Sequence, residues 1–188
     1  NHYYFISCIS FILIFLPANR SFSLDCFFGI CQRKNYCSSW MINCIKLQIG
    51  IVYLYAGISK LNYHWLFEAE PLINWLKHLS DFPIIGQLLM FDTTAYVFSW
   101  FGAIFDLTIF FILINNKYRI WGYLVVVIFH VFTSIMFPIG VFPLVMIAST
   151  LIFFSDNFHN KFISIITCYL ESLKKYSIFT GRTSRTEY

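Results

Sequence analysis

Four ionisable side chains stand within or at the ends of apolar stretches of this chain: His2, Lys60, Asp106 and His130. An ionisable group at membrane depth costs about 3 kcal/mol or more, so such groups are rare and mark candidate functional sites. A lysine in a dry pocket can lose its proton and act as a base near neutral pH, and a histidine beside it can relay that proton. These residue types indicate proton transfer inside a membrane, without indicating the substrate.

The composition predicts an integral membrane protein. Of the 188 residues, 59% are hydrophobic and only 12% are charged, whereas a soluble domain usually carries about 25% charged residues. Five hydrophobic segments are predicted, at residues 3–16, 44–59, 95–114, 120–137 and 141–154. The predicted fold class is therefore all-α, a polytopic helical membrane protein.

The remaining segments complete the predicted organisation. Residues 72–79 carry Leu and Trp at helical spacing after Glu68, Glu70 and Pro71, which suit a helix start, so an interfacial amphipathic helix is predicted there. Residues 1–154 form the predicted membrane domain, and residues 155–188 form a basic polar tail with one more amphipathic pattern at 162–173. Because the chain does not begin with Met, we expect it to be a fragment.

The charges of the loops predict an orientation. If the first segment enters from outside, most basic loop residues fall on the inner side, as the positive-inside rule requires. His2, Lys60 and His130 then lie in the outer half of the membrane, and Asp106 lies near the middle of its span. This placement predicts one polar pocket open to the outside. The net charge of +4 is spread over loops and tail, so no nucleic acid partner is predicted.

Each of these four side chains also has an ordinary structural explanation. Lys60 could extend to the lipid headgroups, as lysines at helix ends do. His130 could bond to a backbone carbonyl, His2 could sit at the interface, and Asp106 could contact a Thr or Tyr. Composition and spacing leave both interpretations open.

No metal site is predicted. The spacing of Cys26, Cys31, Cys37 and Cys44 is too irregular for paired Cys-x-x-Cys ligands.

Three blocks of residues nevertheless occur in the order and spacing of a known family. They are Asn1-His2-Tyr3-Tyr4; Tyr55-Ala56-Gly57 with Lys60-Leu61, Trp65 and Glu70-Pro71-Leu72; and Phe105-Asp106, Phe129-His130 and Ile139-Gly140-Val141-Phe142-Pro143 with Met146. Together they resemble the membrane domain of the vitamin K-dependent gamma-carboxylase family, the horizontally transferred transmembrane (HTTM) domain. The resemblance covers residues 1 to about 154.

The resemblance implies a specific reaction. A base in the membrane deprotonates reduced vitamin K, a hydroquinone, and O2 then converts the hydroquinone to an epoxide while generating a strong base. That base removes a proton from the γ-carbon of a peptide glutamate, and CO2 adds to give gamma-carboxyglutamate. The family's base is the lysine of an AG-x-x-K-L motif, which is Lys60 here.

The resemblance also implies the other site residues. His2 beside Asn1 matches the family's assisting histidine, and His130 matches its FH motif. The stretch that lines the quinone pocket in relatives falls on Gly140, Phe142 and Met146, although Phe142 and Met146 could equally serve packing. Ser59 stands where animal enzymes carry a second lysine, and Thr133 stands where Asn is frequent, so a microbial member is predicted.

The sequence therefore predicts a hydroquinone-dependent carboxylase of protein glutamate with Lys60, His2 and His130 as catalytic residues. Its expected cofactor is reduced vitamin K, with O2 and CO2 as co-substrates, and its expected partners are a Glu-containing protein or peptide and the lipid bilayer. The expected location is the cell membrane of a bacterium or the endoplasmic reticulum membrane of a eukaryote. The alternative is a non-catalytic quinone- or lipid-binding membrane protein of the same fold.

Overall fold

The described part of the chain is helical. The computed structural model describes residues 2–16, 23–32, 38–83 and 85–177. Within these ranges the side chains of residues 2, 156, 162, 165 and 172–177 are not described. The described residues contain no strand. The predicted all-α class is confirmed. The α-helices of the described ranges are, in chain order, α1 (His2–Phe15), α2 (Leu24–Phe27), α3 (Ser39–Lys60), α4 (Tyr63–Phe67), α5 (Leu72–Lys77), α6 (Gly86–Leu89), α7 (Asp92–Ile114), α8 (Arg119–Met136), α9 (Phe142–Thr150) and α10 (Asp156–Ser177).

Three of these helices are long and apolar enough to cross a membrane: α3, α7 and α8. The count rises to four if α9 with its following turn and α10 are taken as one broken span. All five predicted hydrophobic segments occur within helices, but α1 has 14 residues and α9 only 9. A hydrocarbon core of about 30 Å needs about 20 helical residues, so neither short helix spans it alone.

The helices α3 and α7 approach each other closely along one stripe of α3. The stripe consists of Lys46, Gly50, Tyr53, Gly57 and Lys60, which alternate at spacings of four and three residues and so lie on one helix face. A Cβ atom on Gly50 would lie 2.4 Å from the Phe110 ring, and one on Gly57 would lie 2.7 Å from Leu107 Cγ. Small residues allow two membrane helices to pack at this distance.

The buried core gathers around the same stripe. Its members come from α1, α3, α7, α8, α9 and the 3-10 turn Leu151–Phe153, and their shared feature is near-complete burial. They are Phe5, Ile49, Tyr53, Phe105, Ile109, Leu113, Val126, Met146 and Phe153.

Short helices fill the stretch between α3 and α7. A helix is observed within the predicted range 72–79: α5 begins directly after Pro71 and ends at Lys77, where the Leu79 N–H turns back to the Leu76 carbonyl. Glu68 follows α4 instead of opening α5, which corrects part of the predicted start. The sequence pattern did not reveal α4 and α6, since five and four residues are too few to show a period.

The chain divides into two compact units, residues 1–153 and residues 154–188. Within the second unit, the amphipathic pattern predicted at 162–173 belongs to the longer helix α10, which extends it in both directions.

The glycine stripe gives the first prediction. We expect Gly57→Ala to lower the free energy of unfolding by about 1–3 kcal/mol, because the added methyl group overpacks the contact with Leu107. The matched control is Gly102→Ala on α7, where a Cβ meets nothing within 4 Å. There the higher helix propensity of Ala should leave stability unchanged or raised. Thermal unfolding in detergent measures both, and equal effects of the two substitutions would contradict the close approach.

Candidate functional site

A lysine–aspartate pair joins α3 to the middle of α7. Lys60, the last residue of α3, donates a hydrogen bond from Nζ to Asp106 Oδ2 and forms an ion pair with it. The Asp106 side chain is only 6% exposed and that of Lys60 is 21% exposed. Burial of a carboxylate is tolerated where a cation pairs with it, so each of these two residues accounts for the presence of the other.

The depth of Lys60 differs from the sequence-based placement. The sequence placed Lys60 at the outer end of its segment, and it does end α3. However, Asp106 lies 14 residues after Asp92, the first residue of α7, which is about 21 Å along that helix. Lys60 therefore lies beside the middle of α7, and its ammonium contacts a buried carboxylate. This geometry favours a site residue over a headgroup anchor.

The segment after Lys60 covers the first part of α7. Trp65 Nε1 donates to the Ser99 carbonyl 3.1 Å away, and Ser99 Oγ donates back to the Trp65 carbonyl. Trp100 Nε1 donates to the Leu66 carbonyl at 3.0 Å. These bonds hold α4 against α7 directly after Lys60.

A second polar pair lies in the same core. Tyr53 Oη and His130 Nε2 are 3.1 Å apart and both side chains are buried, so one hydrogen bond joins α3 to α8. Tyr53 precedes Lys60 by seven residues and shares its face of α3. The hydrogen-bond partner of His130 is thus a side chain. The purely structural explanation of His130 had predicted a backbone carbonyl as its partner.

Adjacent residues of α7 connect the two pairs. Asp106 holds Lys60, and the preceding Phe105 packs its ring 5.9 Å from that of Tyr53 and 6.3 Å from that of His130. Lys60, Asp106, Tyr53 and His130 therefore form one constellation, which we call the four-residue polar site.

Aromatic rings surround this site. The Phe129 ring stacks on Phe105 at 4.1 Å between centroids, and Phe101 lies 6.3 Å from Phe105. Lys60 Nζ stands 5.5 Å from the centre of the Trp65 ring, a cation–π distance. Such walls exclude water and strengthen electrostatic interactions inside them.

Three of the four residues predicted to bind the cofactor, Gly140, Phe142 and Met146, lie in α9 or in the turn before it, and the fourth is Asn1. Phe142 places its ring 6.4 Å from His130 and 6.5 Å from Phe5 of α1. Met146, 1% exposed, belongs to the same buried core. Gly140 has φ +67° in the turn between α8 and α9, a conformation that favours glycine.

Two of the predicted site residues stand at the beginning of the chain. His2 is the first residue of α1, three positions before Phe5, and Asn1 lies outside the described residues.

Sequence reasoning missed two partners in this site. Asp106 was singled out but assigned a structural contact with Thr or Tyr, whereas its partner is Lys60. Tyr53 was not named, although its seven-residue spacing from Lys60 put both on one helix face. The pairings themselves bridge 46 and 77 sequence positions, and no local pattern encodes such distances.

A separate group could hold a metal ion. Ligand atoms of His64, Glu68 and Glu70 lie within 4.8 Å of one another, and this is the sole such group in the described ranges. The prediction of no ligand cluster considered the cysteines and overlooked it. We assign no metal to it, because His64 is exposed, Glu68 is half-buried, and the two pair with each other across one helical turn.

The ion pair gives the second prediction. Asp106→Leu should lower the free energy of unfolding by about 3 kcal/mol, because it leaves the Lys60 ammonium in an apolar site without its counter-charge. The double variant Lys60→Met/Asp106→Leu should recover most of this loss, since it removes both charges. Chemical unfolding of the four proteins in detergent gives the coupling energy. Additive effects would show that the pair contributes nothing.

Comparison with known proteins agrees with this architecture. Residues 1–158 match the HTTM domain family. No solved structure matches the chain. Because the match covers most of the 188 residues, this integral membrane protein belongs to the HTTM domain family.

Proposed function

We propose that this protein carboxylates glutamate residues of a protein or peptide at the expense of reduced vitamin K. HTTM domains are found in vitamin K-dependent carboxylases, which makes this reaction class the first to consider. The observation that carries the proposal is the pairing of Lys60 with buried Asp106, in an aromatic site that also holds the Tyr53–His130 pair. A base fixed at membrane depth is what proton removal from a lipid-soluble hydroquinone requires.

The donors and walls of the site suit a hydroquinone. Its flat apolar ring would pack against aromatic side chains such as Phe142, and its two hydroxyl groups need polar partners at separate points. The Lys60–Asp106 and Tyr53–His130 pairs provide two such points, with their α3 members seven residues apart along the stripe of α3. Asn1, Gly140 and Met146 remain the other proposed binding residues. When bound, reduced vitamin K would supply, through its oxygenation by O2, the base strength needed at the glutamate γ-carbon.

The chain's own residues would handle the first proton. In the ion pair Lys60 already carries a proton, so transfer of that proton to the Asp106 carboxylate would first free Nζ, which would then accept the hydroquinone proton and leave an ammonium hydrogen-bonded to a neutral carboxyl group. Because Lys60 and Asp106 are in direct contact, their protonation is coupled and the pair acts as one base. His130, oriented by the Tyr53 hydroxyl, would assist by holding or relaying a proton, together with His2.

The remaining participants follow from the same proposal. CO2 would be the second co-substrate, and the glutamate-bearing chain would approach from the outer or lumenal face. The membrane would be the cell membrane in a bacterium or the endoplasmic reticulum membrane in a eukaryote. The rival function is non-catalytic binding of a quinone or lipid by the same fold, because a fold does not determine an activity.

The first test of the proposed function compares Lys60→Ala with wild type. The full-length protein in nanodiscs receives reduced vitamin K, O2, labelled bicarbonate and a Glu-containing peptide. We expect wild type to form epoxide and labelled peptide, and Lys60→Ala to lose at least 100-fold in both, since a general base contributes about 10²–10⁴-fold. The control is Lys77→Ala, which removes an exposed lysine paired with Asp92 and should retain activity.

The products distinguish the two functions. Epoxide without label would make the protein a quinone oxygenase whose peptide differs from the one supplied. Neither product from folded wild type would contradict the carboxylase and leave the non-catalytic function.

A second test concerns Phe142. Replacing it with leucine should raise the KM for the hydroquinone about fivefold, because an aromatic ring contact contributes about 1 kcal/mol. The turnover number should change less, since Leu keeps the site apolar. Phe111→Leu is the control, because this ring on α7 is 60% exposed and lies in no core cluster. Equal KM values for both variants and wild type would remove Phe142 from the site.

A further inference from the structure

A cavity lies at the other end of the α3–α7 pair from the four-residue polar site. Its volume is about 380 Å³, and its polar lining consists of Asn43 and Lys46 of α3 and Arg119 of α8. The rings of Phe110 and Phe153 form part of its apolar wall. All these residues belong to the first compact unit.

Two cations line this cavity without an acidic partner. In the described ranges the ion pairs with Lys or Arg involve Lys60 and Lys77, and neither Lys46 nor Arg119 contacts a carboxylate. Lys46 Nζ stands 5.8 Å from the centre of the Phe153 ring, which stabilises a cation less than an anion does. A half-buried lysine in this setting would gain most from a negatively charged ligand.

Arg119 is held in place by hydrogen bonds that use only some of its N–H donors. Its Nε donates to the Leu113 carbonyl, and its Nη2 donates to Ile114 and Asn116 oxygens. These bonds cap the carbonyl end of α7, where a cation is favoured. The two N–H groups on Nη1 take no part in them, and a guanidinium offers paired donors that match phosphate oxygens.

The position of the cavity identifies the kind of ligand. Lys46 is seven residues after Ser39, about 10 Å along α3 from its start, and Arg119 begins α8. Both therefore lie near one end of the membrane-crossing helices, where lipid headgroups meet the hydrocarbon core. Basic pockets between such helices at this level suit the phosphate of an anionic lipid, and the apolar wall suits the part of the lipid below it.

We propose that this cavity binds a phosphate group through Lys46, Arg119 and Asn43, and that an anionic phospholipid carries it. The site is independent of the proposed carboxylase reaction. Its role is to hold this end of α3, α7 and α8 together by neutralising two cations that the described residues leave unneutralised.

The test is lipid-dependent stability of the full-length protein. Phosphatidylglycerol is titrated against a phosphatidylcholine background in detergent micelles, and the rise in thermal midpoint gives an apparent affinity. We expect Lys46→Gln to lower the apparent affinity for phosphatidylglycerol about fivefold, as expected for the loss of one basic side chain near a headgroup. Lys46→Arg should stay close to wild type. The matched control is Lys117→Gln, which removes an exposed lysine at the same end, over the Tyr118 ring, and should have no effect.

The outcomes distinguish a phospholipid from a soluble anion as the carrier of the phosphate group. Inorganic phosphate at the same concentrations should not protect; equal protection by it would support the phosphate site but make the carrier a soluble anion. Wild type without preference for phosphatidylglycerol, or an equal loss in Lys117→Gln, would overturn the proposal. If Lys46→Gln fails to fold, native mass spectrometry of wild type in mixed lipid replaces it, and equal retention of both lipids there would overturn the proposal as well.

Discussion

The ion pair between Lys60 and Asp106 is the constraint on which the rest of the site depends. A carboxylate buried beside the middle of α7 would be prohibitively costly alone, and so would an ammonium at that depth. Their pairing fixes the end of α3 beside Asp106 of α7, and the short helices α4, α5 and α6 that follow pack against α7 as well. The ion pair therefore sets the register between α3 and α7 at the polar site.

The close approach of α3 and α7 serves the same pair. Lysine and aspartate reach each other directly because Gly50 and Gly57 let the two backbones come together below them. Between the two glycines, Tyr53 turns to His130 on α8 and packs on Phe105. Small residues therefore set the distance, and the large polar residues between them make specific contacts at that distance.

The sequence predicted what depends on local pattern and missed what depends on tertiary contact. Hydropathy located the apolar helices, and the lone lysine and histidine in apolar surroundings drew attention to Lys60 and His130. The depth of Lys60 could not be predicted, because it is set by the short helices of residues 61–91, whose few turns show no period. Asp106 and Tyr53 could not be assigned partners, since identical spacing would also suit ordinary packing residues.

The stripe of α3 finally explains why two charged regions can coexist in so apolar a bundle. Lys46, Gly50, Tyr53, Gly57 and Lys60 repeat at a mean spacing of 3.5 residues, which keeps one face of α3 against α7. Lys46 and Lys60 are 14 residues apart, about 21 Å along the same rigid face. Both lysines therefore cannot lie at one membrane surface. Asp106 supplies the anion for Lys60, and the proposed phospholipid phosphate would supply it for Lys46.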